Sequence, residues 1–248
     1  MKLAFSKPTR NAGEQQSLFS RFRSFGFEGL QLKQSQYWGD IDYPERFVEQ
    51  WMQDAPAIAS GLIMQGLLDE PGIATLRRVF TFAQVVGSER IIFCHGQPRQ
   101  GLSRADIKRF AHLLSDLGKE AHQHATSLSL HHHYNQPVMY REDFEVFFAS
   151  VDDQPLGLTV DTAHLVKSGI TDIAGILSEY RHVLDNVHMK DISDGTFTLL
   201  GQGSINFQPV FATLHTIDFS GWLCADEESQ SHLLSAMEIS AQFLSSRK

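Results

Sequence analysis

Two neighbouring stretches, LGLTVDTAH (156–164) and NVHMKD (186–191), decide how this chain is read. In the first, Leu156, Leu158 and Val160 alternate with Gly157, Thr159 and Asp161; in the second, Val187 and Met189 alternate with His188 and Lys190. A strand sends successive side chains to opposite faces, so the apolar set points one way and the Asp, His and Lys the other. Between the two stretches Ile173, Ile176, Leu177 and Tyr180 fall at helical spacing. Strand, helix, strand, with polar groups at both strand ends, is a βαβ unit that carries a site.

The same alternation extends outward in both directions. Toward the N-terminus, strands are expected at Leu3–Phe5, at 26–33 with Leu30 and Leu32 on one face, at 58–68, at 90–96 and at 127–133. Helices are expected from about Glu14, from Pro44, over 73–86 (Leu76, Val79, Phe80, Ala83), from an N-cap at Ser103 with Asp106 in the capping-box position, and over 141–149. Toward the C-terminus, the seventh strand runs over 185–192. A polar excursion at Gly201-Gln-Gly203 then leads to a helix carrying Val210, Phe211 and Leu214. The eighth strand lies in GWLCADEE (221–228), before a last helix from Ser231. Eight strand signals alternating with eight helical ones predict an α/β chain folded as a single (β/α)8 TIM barrel, one domain over 1–248. A doubly wound open sheet would need a glycine-rich fingerprint after the first strand, and none is present.

At 248 residues and 42% hydrophobic, the chain can bury one large core. A net charge of −8 argues against a general affinity for nucleic acid or anionic membrane. Without a membrane-length apolar run or a signal-peptide core at MKLAFSKPTR, the expectation is a cytoplasmic protein. Cys94 and Cys224 sit in apolar runs and read as reduced core thiols.

Parity then sorts the chemistry. With the leucines and valines facing the helices, the residues facing the barrel axis at the strand C-termini are Gln31 and Lys33, His131 and His133 but not His132, Asp161, His188 and Lys190, and Asp226 and Glu228. His95 joins them if Ile91 and Phe93 also face inward. Barrel enzymes keep their sites at this end. Imidazoles mixed with carboxylates, and no thiolate, point to an open catalytic site for one divalent cation. Taken one at a time these residues have plainer readings: an Asp-x-x-His is common, a lone His in a strand is usually core or surface, and 226–228 can be a solvated turn. The remaining histidines, at 112, 122, 124, 182, 215 and 232, read as structural. The conjunction on four successive strands outweighs them.

At these residues the chain resembles the xylose isomerase-like TIM-barrel superfamily, which holds sugar isomerases and epimerases, inosose dehydratase and the endonuclease IV type of repair enzyme. LGLTVDTAH resembles that family's Asp-Thr-Gly-His strand and VHMKD its His-x-Lys-Asp strand. LLGQGSINFQPVFATL resembles the Gly-x-Gly segment, FSGWLCADEE the last strand, and LHHHYNQPV the His-rich fifth strand of the inosose dehydratase branch. The resemblance implies a metal set of His131, Asp161, His188 and Asp226 for Mn, Zn, Co or Mg. By position, His164 and Lys190 fall where the family contacts substrate. With the family's usual proton-moving glutamates absent, His133, His164 or Glu228 is the expected catalytic base or acid and Lys190 the catalytic group that holds a hydroxylate or carboxylate, while Gln31, Lys33 and His95, sorted by parity, are expected to contact substrate. Two departures stand out: the fifth-strand glutamate is replaced by His131, and the eighth-strand glutamate by Asp226.

The expected activity is a metal-dependent isomerase or epimerase of a small sugar or polyol ketone, working by removal of the proton α to the carbonyl. The alternative is an inosose dehydratase-like lyase, in which the β-hydroxyl leaves. A nuclease for abasic DNA and a non-catalytic sugar-binding barrel are the remaining rivals. The expected partner is a small sugar or polyol, with no nucleic acid, no membrane and a possible homo-oligomer.

Overall fold

In the computed structural model, which describes residues 1–53, 58–151 and 156–247, the expected alternation is realised. The first half runs β1 (Lys2–Ser6), α1 (Ala12–Arg21), β2 (Gly29–Leu32), α2 (Pro44–Phe47), β3 (Gly61–Gly66), α3 (Glu70–Val86), β4 (Arg90–His95) and α4 (Arg104–Gln123). It continues with β5 (Ser127–His131), α5 (Arg141–Phe148), β6 (Leu156–Asp161), α6 (Thr162–Lys167), α7 (Ile173–Glu179) and β7 (Leu184–Met189). Last come β8 (Asp191–Ser193), β9 (Thr196–Thr198), α8 (Gln208–Thr216), β10 (Trp222–Asp226) and α9 (Leu233–Ser245). Strands β1 to β7 and β10 close into one parallel barrel, β10 pairing with both β7 and β1. This is a (β/α)8 barrel. Among the described residues no helix is long and apolar enough to cross a membrane.

Local chemistry sets the element ends. The Ser103 hydroxyl accepts from the Asp106 N–H at 3.3 Å and the Asp106 carboxylate accepts from the Ser103 N–H at 2.8 Å, the reciprocal cap expected at the start of α4. Pro44 occupies the first turn of α2, and the chain then widens into a π-type turn over Val48–Met52.

Two stretches differ from expectation. The seventh strand stops at Met189, and Asp191–Ser193 turns back on Thr196–Thr198 as a separate antiparallel hairpin. The Asp191 carboxylate explains this. It accepts the backbone N–H groups of Ile192, Gly201, Gly203 and Ile205, drawing the chain away from the barrel wall. Gly201 adopts φ +82°, and a Cβ at Gly203 would run into the Asp191 carboxylate, so this loop requires its Gly-x-Gly. The fifth strand likewise ends at His131 rather than His133.

Leu156, Leu158, Val160, Val187 and Met189 pack in the main core between barrel and helices, as the alternation requires. Phenylalanines fill much of this layer; Phe47 and Phe82 meet edge-on with centroids 5.4 Å apart. The barrel interior is smaller and more polar. Ala4, Trp222 and Cys224 form one inner cluster, and Ile63, Ile92 and Cys94 another. A buried hydrogen-bonded chain links the rest: Gln31 to Asn186 at 2.7 Å, Asn186 to Thr159 at 3.3 Å, Thr159 to Ser129 at 2.7 Å, and Ser129 to Asp185 at 2.9 Å. Asp185 is paired in turn with Arg90 at 2.8 Å.

Candidate metal centre

The register of β6 against β7 sets Asp161 beside His188, and β5 ends one strand further round with His131. Asp161 divides its two oxygens between structure and site. Oδ1 accepts from the His164 N–H at 2.9 Å, capping α6, while Oδ2 is buried with no hydrogen-bond partner. Oδ2 lies 3.6 Å from His131 Nε2 and 3.9 Å from His188 Nδ1. Thr162 ties the two strand ends together, accepting from the Lys190 N–H at 3.0 Å and donating to the Lys190 carbonyl at 2.5 Å.

Of the two imidazoles, His188 is oriented by a neighbour, whereas His131 Nδ1 is buried without a hydrogen-bond partner. His188 Nε2–H donates to Gln31 Oε1 at 2.7 Å, which leaves the Nδ1 lone pair free, 3.9 Å from Asp161 Oδ2 and 3.6 Å from Asp226 Oδ2. Burial drives the His188 pKa down to about 3, so the ring is neutral. Burial also works against charge on His131, but Cys94 and the Asp161 carboxylate beside it lift its pKa to about 10. The ligand atoms of His131, Asp161 and His188 all lie within 4.8 Å of one another. Two imidazoles, one carboxylate and unpartnered buried donor atoms fit a divalent cation.

Beside this triad stands a charge cluster. Lys190 Nζ contacts Asp226 Oδ2 at 2.7 Å, Glu228 Oε2 at 2.9 Å and Asp161 Oδ2 at 3.5 Å. Lys33 Nζ contacts Asp226 Oδ1 at 2.6 Å and Glu228 Oε1 at 2.9 Å. Burial pushes the Asp226 carboxyl up, but the ammonium groups of Lys190 and Lys33 more than offset it and hold it well below the usual range. Burial disfavours the charged form of Lys190; Asp226, Asp161 and Glu228 outweigh that and keep it protonated.

Above the triad opens a cavity of about 300 Å³, lined among others by Lys33, His131, His133, His164, His188, Lys190, Asp226 and Glu228. The His133 and His164 ring centroids are 3.6 Å apart. His133 Nδ1–H donates to the Tyr134 carbonyl at 2.7 Å, leaving Nε2 as an acceptor. Both ring nitrogens of His164 are buried without a partner. Phe197, carried by the hairpin, lies 5.2 Å from the His164 ring and 4.7 Å from Lys190 Nζ.

The expected residues therefore converge at one barrel mouth, with two corrections of placement. Ile91 and Phe93 face the helices rather than the axis, and His95 goes with them; its ring packs 4.5 Å from Phe110, outside the cavity. Cys94 lines the cavity in its place. Gln31 faces the axis but lies beneath the cavity, buried against His188 and Asn186. Three residues went unnoticed or unsettled in the sequence. His132 is buried and its Nε2 accepts the Asp161 backbone N–H at 2.9 Å. Gln65 and Gln136 line the cavity.

Comparison with known proteins agrees with this geometry. The family model "Xylose isomerase-like TIM barrel" matches residues 65–247. The inosose dehydratase of Glaesserella parasuis serovar 5 (strain SH0165) is 28% identical over 191 residues, 63% of this chain and 63% of that protein. That of Clostridium tetani (strain Massachusetts / E88) is 31% identical over 140 residues, 49% of this chain and 47% of the relative. The chain thus spans about half to 63% of the curated relatives it matches. Among solved structures, the probable 3-DHS dehydratase AsbF of Bacillus anthracis superposes with a TM-score of 0.81 at 15% identity, covering 100% of both chains. The 3-keto-D-glucoside 4-epimerase YcjR of E. coli gives 0.74 at 17% identity, covering 99% of both. IOLI protein, solved with a binding zinc atom, gives 0.74 at 17%, covering 100% of this chain and 96% of the other. These structures share the fold. By sequence and architecture together, the chain belongs to the xylose isomerase-like TIM-barrel family.

Proposed function

We propose that this chain is a metal-dependent enzyme that removes the proton α to the carbonyl of a polyhydroxylated ketone, a sugar or an inosose, with departure of the β-hydroxyl as water. The observation that carries the reading is the site's donor set: the His131 and His188 imidazoles in the cavity lining, the Asp161 carboxylate buried within reach of both, and the unpartnered His164 imidazole and the Lys190 ammonium group alongside. A divalent cation bound there supplies a Lewis acid for the carbonyl oxygen and offsets the charge that develops as the proton leaves. Two imidazoles in the set favour Zn²⁺ or Co²⁺ over Mg²⁺.

His164 takes the proton. Both its nitrogens are unpartnered, and burial, the largest influence on it, keeps the ring neutral and ready to accept. His133, in ring contact and partly exposed, relays that proton to the departing β-hydroxyl, which leaves as water. Lys190 stays charged and donates hydrogen bonds to substrate oxygens, held in position by Asp226 and Glu228. Pairing of both lysines with carboxylates argues against a phosphodiester substrate.

The names of the sequence relatives favour elimination. Isomerisation or epimerisation is the second reading, favoured by the His133–His164 pair, which offers one ring to take a proton and one to return it. Proton NMR in D₂O with metal-loaded protein and a set of inososes and ketoses separates the two. Elimination gives loss of water from the product, and isomerisation gives deuterium at the α-carbon of an isomer. If no substrate in the set is converted or exchanges its α-proton, the proposal fails.

A further inference from the structure

We infer that the cation is held by three protein side chains, His131, Asp161 and His188, and that Asp226 is not a fourth ligand but the counter-ion that positions Lys33 and Lys190 beside the open coordination positions. The inference rests on the cation reading proposed above. It departs from the ligand set that family resemblance implies, and it comes from where the atoms lie.

The three donors form the one mutually close grouping of potential ligands among the described residues, and Asp226 falls outside it. Both Asp226 oxygens are already engaged, Oδ1 with Lys33 at 2.6 Å and Oδ2 with Lys190 at 2.7 Å. To ligate through either oxygen, Asp226 would bring the cation against an ammonium group 2.6 Å or 2.7 Å from that oxygen, a like-charge contact that the three-residue set meets only at 3.5 Å, from Lys190 to Asp161. Aspartate rather than glutamate suits this role: the shorter side chain keeps the carboxylate back against the lysines. Asp226 Oδ2 lies 3.6 Å from His188 Nδ1, near enough for its charge to be felt at the cation. That proximity is why a charge-neutral replacement is needed to separate ligation from electrostatics. A cation held by only three side chains would leave room for substrate oxygens and water, with the Lys33 and Lys190 ammonium groups alongside.

Protein stripped with chelator and titrated with Co²⁺ and with Zn²⁺ provides the test. The readouts are stoichiometry, affinity by competition with a chromophoric chelator, and the visible Co²⁺ spectrum. The variants are Asp161→Asn, His188→Gln and two charge-neutral pairs, Asp226→Asn with Lys190→Met and Asp226→Asn with Lys33→Met; two pairs are made in case one does not fold. Wild type takes up one equivalent. Asp161→Asn and His188→Gln lose more than about 100-fold in affinity, beyond the ~10–100-fold typical of losing a partner that does not touch the metal. The charge-neutral pairs stay within about 10-fold of wild type, with an unchanged Co²⁺ spectrum. A loss in those pairs as large as in Asp161→Asn, or an altered Co²⁺ spectrum, overturns the three-ligand assignment while leaving the cation reading intact. Failure of wild type to bind either metal overturns both.

Discussion

Replacing Gln31 by methionine tests how the barrel interior prepares the site. Methionine keeps the length and nearly the volume of the side chain, so the packing term is small. The polar losses are specific. Gln31 Oε1 accepts from His188 Nε2–H at 2.7 Å and from Asn186 Nδ2–H at 3.2 Å, and Gln31 Nε2–H donates to Asn186 Oδ1 at 2.7 Å. Asn186 keeps its bond to Thr159 at 3.3 Å, but the His188 N–H and Asn186 Oδ1 are left unpaired in a dry interior. At about 1–3 kcal/mol for each orphaned buried group, the expected loss is about 2–6 kcal/mol of folding stability. A second effect follows, because Gln31 also selects the tautomer that leaves Nδ1 unprotonated. Losing such a partner weakens metal binding by about 10–100-fold. Urea unfolding of metal-free protein and a Zn²⁺ titration read the two effects separately. A variant less than about 1 kcal/mol weaker than wild type, with unchanged metal affinity, would refute the assignment of Gln31 as the residue that orients His188.

Other outcomes follow from the same geometry. His95 and His132 are pushed down to about 4 and about 3 by burial, against 6.5 when unfolded, so the stability they contribute is complete above pH 6.5 and is lost as pH falls. The unfolding free energy from urea titrations should therefore decline at up to about 2.7 kcal/mol per pH unit from these two groups between about pH 6 and 4. A flat profile there would contradict their neutral burial. Because the His131 pKa is lifted to about 10, cation uptake at neutral pH should release one proton and weaken tenfold per unit of acidification; calorimetry in buffers of different ionisation enthalpy measures it. His164→Gln should lower turnover by about 10²–10⁴-fold while leaving metal stoichiometry at one, and an unaffected kcat would remove His164 as the base. Asp191→Ala frees the N–H groups of Ile192, Gly201, Gly203 and Ile205 and should cost about 3 kcal/mol, with faster amide exchange over 199–205.

The barrel was legible because its strands and helices carry different periods. Leu156, Leu158 and Val160 repeat every second residue, while Leu76, Val79, Phe80 and Ala83 follow a helical turn, and both sets lie in the outer core. The convergence of His131, Asp161 and His188 could be read from parity alone. Parity failed on β4, where Arg90–His95 is buried along its whole length. Ile91, Ile92, Phe93 and Cys94 are apolar on both faces, so nothing in that segment says which face meets the axis. Gln31 was placed on the correct face, yet its partner His188 lies 157 residues away, and only the closed sheet brings them together. The same holds for Asp226, whose surroundings are set by lysines from two other parts of the chain. The hairpin after β7 depends on one carboxylate gathering four backbone N–H groups, a pattern that hydrophobic spacing does not encode.

We propose that three side chains from successive strands, His131, Asp161 and His188, share one cation at the C-terminal mouth of the barrel. Anomalous diffraction from crystals grown with stoichiometric Zn²⁺ measures this directly. The account predicts one strong peak about 2.0–2.2 Å from His131 Nε2, Asp161 Oδ2 and His188 Nδ1 together. A peak elsewhere, or none at that point in zinc-replete crystals, would contradict it.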